Sequence, residues 1–407
     1  MLQNRSSLSQ ASPALFGSRL RLLREAHAAL SSRPNSPLLP GNGVVTRYAD
    51  PVLTAAHVPL HWRYDLNPET NPWLMERLGI NAVFNAGAIE WEGRICLMLR
   101  VEGTDRKSFF AVAESSSGTG GFRFRDLPVQ IPELPGEPET NLYDMRLTRH
   151  ADGYIYGVFC TERHDESRPE DPAAAIAQCG IIRSRDLEHW ERLPNLQTPS
   201  PQQRNCVLHP EFVQGQYAFY TRPMDGFLTA SGGGGIGWGL CEDICRPVIR
   251  EERVIDPRRY HTISELKNGQ GPPPIRTAAG WLHLAHGVRN TAAGMRYVLY
   301  LLLTSLEDPA QVVRAPGGYL LAPEGDERTG DVSNVLFSNG WVERSSGEVL
   351  IYYASSDTRM HVAATSVAQL LDYALHTPED SGSSHGSAAQ RIALIRQNRQ
   401  WLAEETD

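Results

Sequence analysis

Five glycine-bearing turns recur along the middle of the chain, at Glu92-Gly93, Asp152-Gly153, Gln214-Gly215, Ala279-Gly280 and Ser346-Gly347. Their glycines stand 60, 62, 65 and 67 residues apart. Each turn is followed by an apolar, strand-sized run, at 95–99, 154–159, 217–220, 281–285 and 349–353. In most units a third run comes next, at 109–114, 179–184, 236–241, 297–305 and 360–365. A near-constant repeat of three or four short strands describes a unit that buries its faces only against copies of itself, which is the logic of a β-propeller. The repeat therefore predicts an all-β, five-bladed β-propeller. The strand before each first turn would line the central channel, at 81–90, 141–148, 205–212, 272–277 and 334–339. All but 272–277 mix polar groups among apolar ones, as a ligand pocket requires.

Helical periodicity is confined to the ends. Residues 15–30 carry Leu15, Phe16, Leu20, Leu23, Ala26 and Leu30 with arginines between them, an amphipathic helix. The segments 367–375 and 388–402 read as helices too, with linkers at 31–40 and 377–387. The expected organisation is an N-terminal helix and linker over 1–40, a propeller over 41–365 and a helical segment over 366–407. The terminal helices offer faces to the propeller or to a second subunit, so a homo-oligomer is an expectation.

Composition narrows the partners. With 39 basic and 47 acidic side chains the net charge is −8, the wrong sign for displacing counterions from nucleic acid or an anionic membrane. No run approaches the roughly 18 apolar residues of a membrane helix, and the first residues lack the apolar core of a secretory signal. A cytoplasmic protein is expected. Six scattered cysteines (96, 160, 179, 206, 241 and 245) match no zinc spacing and read as free thiols, so no metal is expected.

Several side chains could carry chemistry. In Tyr143-Asp144-Met145-Arg146, strand alternation puts Asp144 and Arg146 on one face, either as an ion pair or with Asp144 as a working acid. Arg204, His209, Arg222, Lys267 and His286 fall near one end of the predicted channel; they either meet an anion, which suits phosphate and arginine, or pair with Glu211, Asp225 or Asp357. The run from Ser231 to Gly237 lacks the Lys-Ser/Thr pair of a phosphate-binding loop and reads as a loop over the channel. His57, His61, Trp62, Tyr64 and Trp73 either stack on sugar or form a loop core.

Taken together, Asn85-Ala86-Gly87-Ala88, Arg100-Val101-Glu102-Gly103, Tyr143-Asp144-Met145-Arg146, Arg204-Asn205 with His209-Pro210-Glu211, and Tyr353 to Arg359 resemble glycoside hydrolase family 130 over about 41–377. Segments 61–68 and 330–335 resemble the branch that acts on 4-O-β-D-mannosyl-D-glucose. The resemblance implies a five-bladed propeller and reversible, inverting phosphorolysis: a β-mannoside and phosphate give α-D-mannose 1-phosphate and a released sugar, here D-glucose. It implies no metal or organic cofactor, phosphate being a substrate. It implies Asp144 as general acid, its proton relayed through the mannose 3-hydroxyl, so that its carboxyl lies beyond hydrogen-bond reach of the bridging oxygen. It further implies Arg204, Asn205, Arg222, Lys267, His286 and Tyr297 around phosphate or the reacting mannose, and Asn85, Arg100, Tyr143 and Asp357 on the mannose. An arginine at position 146 beside the acid would oppose its protonation unless burial prevails or Arg146 points elsewhere. Alternatives are a phosphorylase of longer β-1,4-mannosides or of mannosyl-N-acetylglucosamine, a β-mannoside hydrolase, and a non-catalytic sugar-binding propeller.

Overall fold

In the computed structural model, which describes residues 13–136, 139–225 and 233–404, the repeat folds into five antiparallel sheets. The first blade comprises Ile80–Trp91, Arg94–Gly103, Ser108–Ser115 and Arg123–Phe124, and the second Asn141–Arg149, Ile155–His164, Ala175–Ser184 and Glu191–Leu196. The third comprises Val207–Leu208, Tyr217–Thr221, Ile236–Cys241 and Arg253–Asp256. In the fourth, Gly280–Thr291 pairs on one side with Lys267–Gln270 and Ile275–Thr277 and on the other with Gly294–Thr304, which leads to Val312–Arg314. The fifth comprises Leu336–Glu343, Glu348–Ser355 and Arg359–Ser366, and takes its outer strand, Thr46–Arg47, from the other end of the chain, with Thr46 opposite Ala364. That exchange covers an edge that would otherwise be open for pairing.

The core follows from the ring. Five apolar clusters each join two adjacent blades: Leu97 with Leu350 (first and fifth), Met98 with Phe159 (first and second), Val158 with Phe219 (second and third), Tyr220 with Leu302 (third and fourth), and Leu284 with Ile351 (fourth and fifth). Five blades sharing five such interfaces form a closed ring, because an open arc would have one fewer. The first hairpins close as the sequence predicts. Glu92 and Gly93 have φ of 49° and 73°, and Gln214 and Gly215 have 53° and 77°, the paired left-handed residues of a tight hairpin.

Two expectations need correction. The inner strand of the fourth blade begins at Lys267, earlier than 272, and is interrupted. Gln270 stands opposite Ala285 and Ile275 opposite Leu282, so 271–274 faces only 283–284. Three consecutive prolines, 272–274, cannot donate to a ladder and push the chain off it. The C-terminal linker is also shorter than 377–387: the last helix, Ser384–Glu404, starts inside it, where Ser383 Oγ accepts from the Gly386 N–H at 3.0 Å.

Val367–His376 packs Leu370 and Ala374 into the cluster between the fourth and fifth blades. Pro13–Ser31 lays Phe16 against Tyr64 and Leu74. Ser231 and Gly232 of the glycine-rich run lie outside the described residues; Gly234 hydrogen-bonds Pro223 and Asn268 through its backbone.

Candidate active site

The three inner strands nearest the acid share one irregularity. Register shifts between Phe84 and Gly87 in the first blade, between Tyr143 and Arg146 in the second, and between Phe337 and Gly340 in the fifth. Such bulges re-aim side chains. Asn85 and Asp144 occupy left-handed conformations, φ 48° and 61°. The bulged strands approach closely: a Cβ on Gly340 would lie 2.5 Å from the Ala88 nitrogen.

The bulge corrects the simple alternation at 144–146. The Asp144 carboxylate turns to the first blade, where Oδ1 accepts from Asn85 Nδ2 at 2.9 Å and from Arg100 Nη1 at 3.2 Å. Arg146 bonds the backbone carbonyl of Asp144 instead, at 2.8 Å from Nη1. Arg100 also donates to Glu102 Oε2 at 2.8 Å and Ser108 Oγ at 2.9 Å, and its guanidinium lies over the rings of Phe84 and Tyr143. Burial alone would lower its pKa; the carboxylates of Asp144, Glu102 and Asp357 reverse the sign and raise it. Asp357 sits in the turn between Glu348–Ser355 and Arg359–Ser366, and burial with the charge of Asp144 pushes its carboxyl up to about 7.

The cations gather on the adjoining side. Arg204 Nη1 donates to the Tyr143 hydroxyl at 2.7 Å and forms an ion pair with Glu162, to which Tyr143 also donates at 2.9 Å. Asn205 is clamped, its Nδ2 giving to the Gln270 carbonyl at 2.9 Å and its Oδ1 accepting from Arg146 Nη2 at 3.1 Å. Arg222 is buried, with Nη1 2.9 Å from His286 Nε2. Guanidinium only donates, so His286 Nε2 accepts and the ring is neutral. Burial, then Arg222, Arg146 and Lys267, hold its pKa well below the usual value. Burial and the charges of Arg222 and Arg204 push Lys267 down to about 7. Its ammonium lies 5.7 Å from the Tyr297 ring centroid, and Tyr297 stacks on His286.

Every residue that the family resemblance implies for the acid, phosphate and mannose positions thus falls within one contiguous set of contacts or shared charge. His209 does not join it: buried against Trp281 at 4.4 Å between centroids, and bonded to the Glu211 carbonyl, it is pushed down to about 4 by burial and belongs to the blade core. Trp62 packs on Phe109 and Phe124, strand residues of the first blade, and Tyr64 packs on Leu74 beneath the N-terminal helix. Sequence reasoning missed Glu162, Phe337 and Glu102. Glu162 carries a usable signal, since antiparallel pairing at the mouth of the second blade puts it opposite Asn141, two residues from Tyr143. Among the described residues no group of three or more His, Cys, Asp or Glu side chains is arranged to hold a metal.

The family model described as β-1,4-mannooligosaccharide phosphorylase, glycoside hydrolase family 130, matches residues 69–375. A 4-O-β-D-mannosyl-D-glucose phosphorylase of Bacteroides fragilis is 60% identical over 386 residues, 95% of this chain and 98% of its own length. The chain belongs to glycoside hydrolase family 130. A second relative, a β-1,4-mannooligosaccharide phosphorylase of Ruminococcus albus, is 32% identical over 331 residues, 77% of this chain and 90% of that one. The solved structure of a β-1,2-mannobiose phosphorylase from Listeria innocua superposes with a TM-score of 0.64 at 19% identity, over 84% of this chain and 99% of that one, and shows the same fold. Within this family 130 propeller, Asp144 and the cationic group that includes Arg204 and Arg222 are linked through Tyr143, Arg146 and Asn205.

Proposed function

We propose that the protein is a 4-O-β-D-mannosyl-D-glucose phosphorylase, which converts its disaccharide and orthophosphate reversibly to α-D-mannose 1-phosphate and D-glucose. The observation that carries this reading is the 60% identity, across almost the full length of both chains, to a phosphorylase of that substrate. The chemistry of the site supports it. An inverting hydrolase needs a second carboxylate to activate water, whereas a phosphorylase brings an anionic nucleophile and needs cations to hold it. Arg204, Arg222 and Lys267, with Asn205, His286 and Tyr297, are the groups assigned to phosphate. Asn85, Arg100, Tyr143 and Asp357 are assigned to mannose.

In the forward step the bond from the anomeric carbon to the glycosidic oxygen breaks as a phosphate oxygen bonds to that carbon from the opposite face. The proton needed by the departing glucose comes from Asp144, through the mannose 3-hydroxyl, which passes on its own proton as it receives one. The cations stabilise phosphate as its charge moves toward the oxocarbenium-like carbon. In synthesis the same path runs backward. The reading requires no metal or organic cofactor, and a cytoplasmic setting accords with six free cysteines, five of them buried.

Incubating the protein with mannosyl-glucose, with and without phosphate, tests this. Glucose release that depends on phosphate and is matched by mannose 1-phosphate is expected. Free mannose formed without phosphate would make the protein a hydrolase, and sugar binding without turnover would make it a lectin-like propeller. In the synthetic direction glucose should outcompete N-acetylglucosamine and mannose as acceptor.

A further inference from the structure

Arg146 has an environment that the phosphorolysis scheme does not use. Its side chain is buried at 1% exposure, and among the described residues it makes no ion pair. A buried guanidinium without a carboxylate is expensive, so its partners need an explanation. They come from four blades. Nη1 donates to the carbonyl of Asp144 in the second blade at 2.8 Å, and Nε to the carbonyl of Gly271 beside the fourth at 3.2 Å. Nη2 reaches Asn205 Oδ1, just ahead of the third blade, at 3.1 Å, and the guanidinium lies 5.6 Å from the ring centroid of Phe337 in the fifth. A planar fork can meet three acceptors in three directions at once; an ammonium on a flexible stem cannot hold that geometry.

Two of those acceptors belong to the machinery. Asp144 is a non-glycine residue in the left-handed region, a conformation that persists only where surroundings over-determine it. Its carbonyl leaves the strand ladder at the bulge and is taken up by Arg146, which leaves the carboxylate free for Asn85 and Arg100. Asn205 has its amide orientation set from both ends, by the Gln270 carbonyl and by Arg146.

We infer that Arg146 is a positioning residue that fixes the acid and the phosphate seat in one frame, acting through the backbone of Asp144 and the amide of Asn205. This inference rests on the phosphorylase reading. It predicts that the shape of the guanidinium, beyond its charge, sets kcat.

The test compares wild type with Arg146→Lys, Arg146→Met and Phe337→Leu. Each is assayed for kcat, for KM of mannosyl-glucose and of phosphate, and for kcat across pH, below its measured unfolding temperature. Arg146→Lys keeps the charge and loses the fork. A misplacement on the order of 1 Å costs about 100-fold in rate, so its kcat should fall by about that factor while KM for the disaccharide moves less than about threefold. The fall should be the same at every pH, with the alkaline limb unmoved. Arg146→Met should lose at least as much. Phe337→Leu leaves every donor in place and removes a ring that packs on both Arg146 and His286. It should lower kcat by roughly tenfold with little change in the phosphate KM, whereas a raised phosphate KM with unchanged kcat would trace its effect to His286 and count against the inference. This variant remains informative if Arg146→Met does not fold.

A near-wild-type kcat in Arg146→Lys would show that charge alone matters. A drop in Tm with kcat unchanged in all variants would reduce Arg146 to a structural strut, and a shifted alkaline limb with an unchanged plateau would make it a tuner of Asp144 acidity. Each of these results overturns the inference. Phosphate-independent turnover by the wild type would instead overturn the phosphorylase reading, and the comparison of kcat among the variants would still decide the role of Arg146.

Discussion

Tyr143 and Arg204 meet across the boundary between the second and third blades, with 2.7 Å between the phenol oxygen and the guanidinium Nη1. Tyr143 immediately precedes Asp144, and Arg204 immediately precedes Asn205. One hydrogen bond therefore ties the strand that carries the acid to the loop that opens the cationic sector. Glu162 completes the tie by accepting from both. Under the proposed function, this tie would hold Asp144 and the groups assigned to phosphate at a fixed spacing.

Asp144→Asn should abolish phosphorolysis and synthesis together, because both directions use the same proton path. The amide keeps an oxygen for Asn85 and Arg100, so far-UV circular dichroism and Tm should stay close to wild type. Loss of a general acid costs on the order of 100- to 10,000-fold in kcat. Measurable turnover within tenfold of wild type would remove Asp144 from that role.

Arg204→Ala and Arg222→Ala should act mainly on phosphate. A hydrogen bond to a charged group contributes about 1.5–3 kcal/mol, which corresponds to a rise of roughly 10- to 150-fold in the phosphate KM. Initial rates across a phosphate titration check this; an unchanged phosphate dependence would place the anion elsewhere.

Lys267 adds a pH dependence with a defined sign. Its pKa in the free protein is lowered to about 7, so the ammonium is charged below that pH and lost above it. Affinity for phosphate should weaken as pH rises through 7, and Lys267→Met should flatten this dependence relative to wild type, with phosphate's own titration common to both. Phosphate KM values measured between pH 6 and 8.5 for the two proteins separate the outcomes.

Gly340→Ala tests the close packing behind the acid. A Cβ there meets backbone atoms of Ala86 and Ala88 in the neighbouring inner strand, at 2.7 Å from the Ala86 carbonyl oxygen, and backbone cannot swing away as a flexible side chain can. Overpacking of this kind costs about 1–3 kcal/mol. A lower Tm and a loss of activity are expected; an unchanged Tm would contradict the tight apposition of the first and fifth blades.

Much of this was legible in the sequence for a local reason. A tight hairpin demands left-handed residues at fixed positions, so Gly93 and Gly215 announce their turns without knowledge of the rest of the chain. The bulges at Asn85, Asp144 and Ser338 were not legible, because a bulge is defined by register against a partner strand and adds no composition of its own. That is why strict alternation put Arg146 on the face of Asp144 and left an ion pair between them open, when Arg100, from the neighbouring blade, holds the carboxylate. His209 was read as a cation for a similar reason: Trp281, which encloses its ring, lies 72 residues further along. Arg204 was recognisable from its motif, whereas its partner Glu162 emerges only once the second blade is paired.

The stereochemistry of the product tests most directly whether acid and phosphate act from opposite faces of the sugar. Proton and phosphorus NMR of the initial product, with mannosyl-glucose and phosphate, should show α-D-mannose 1-phosphate alone, formed in equal amount with glucose. The β anomer, or free mannose in place of the phosphate ester, would contradict the account.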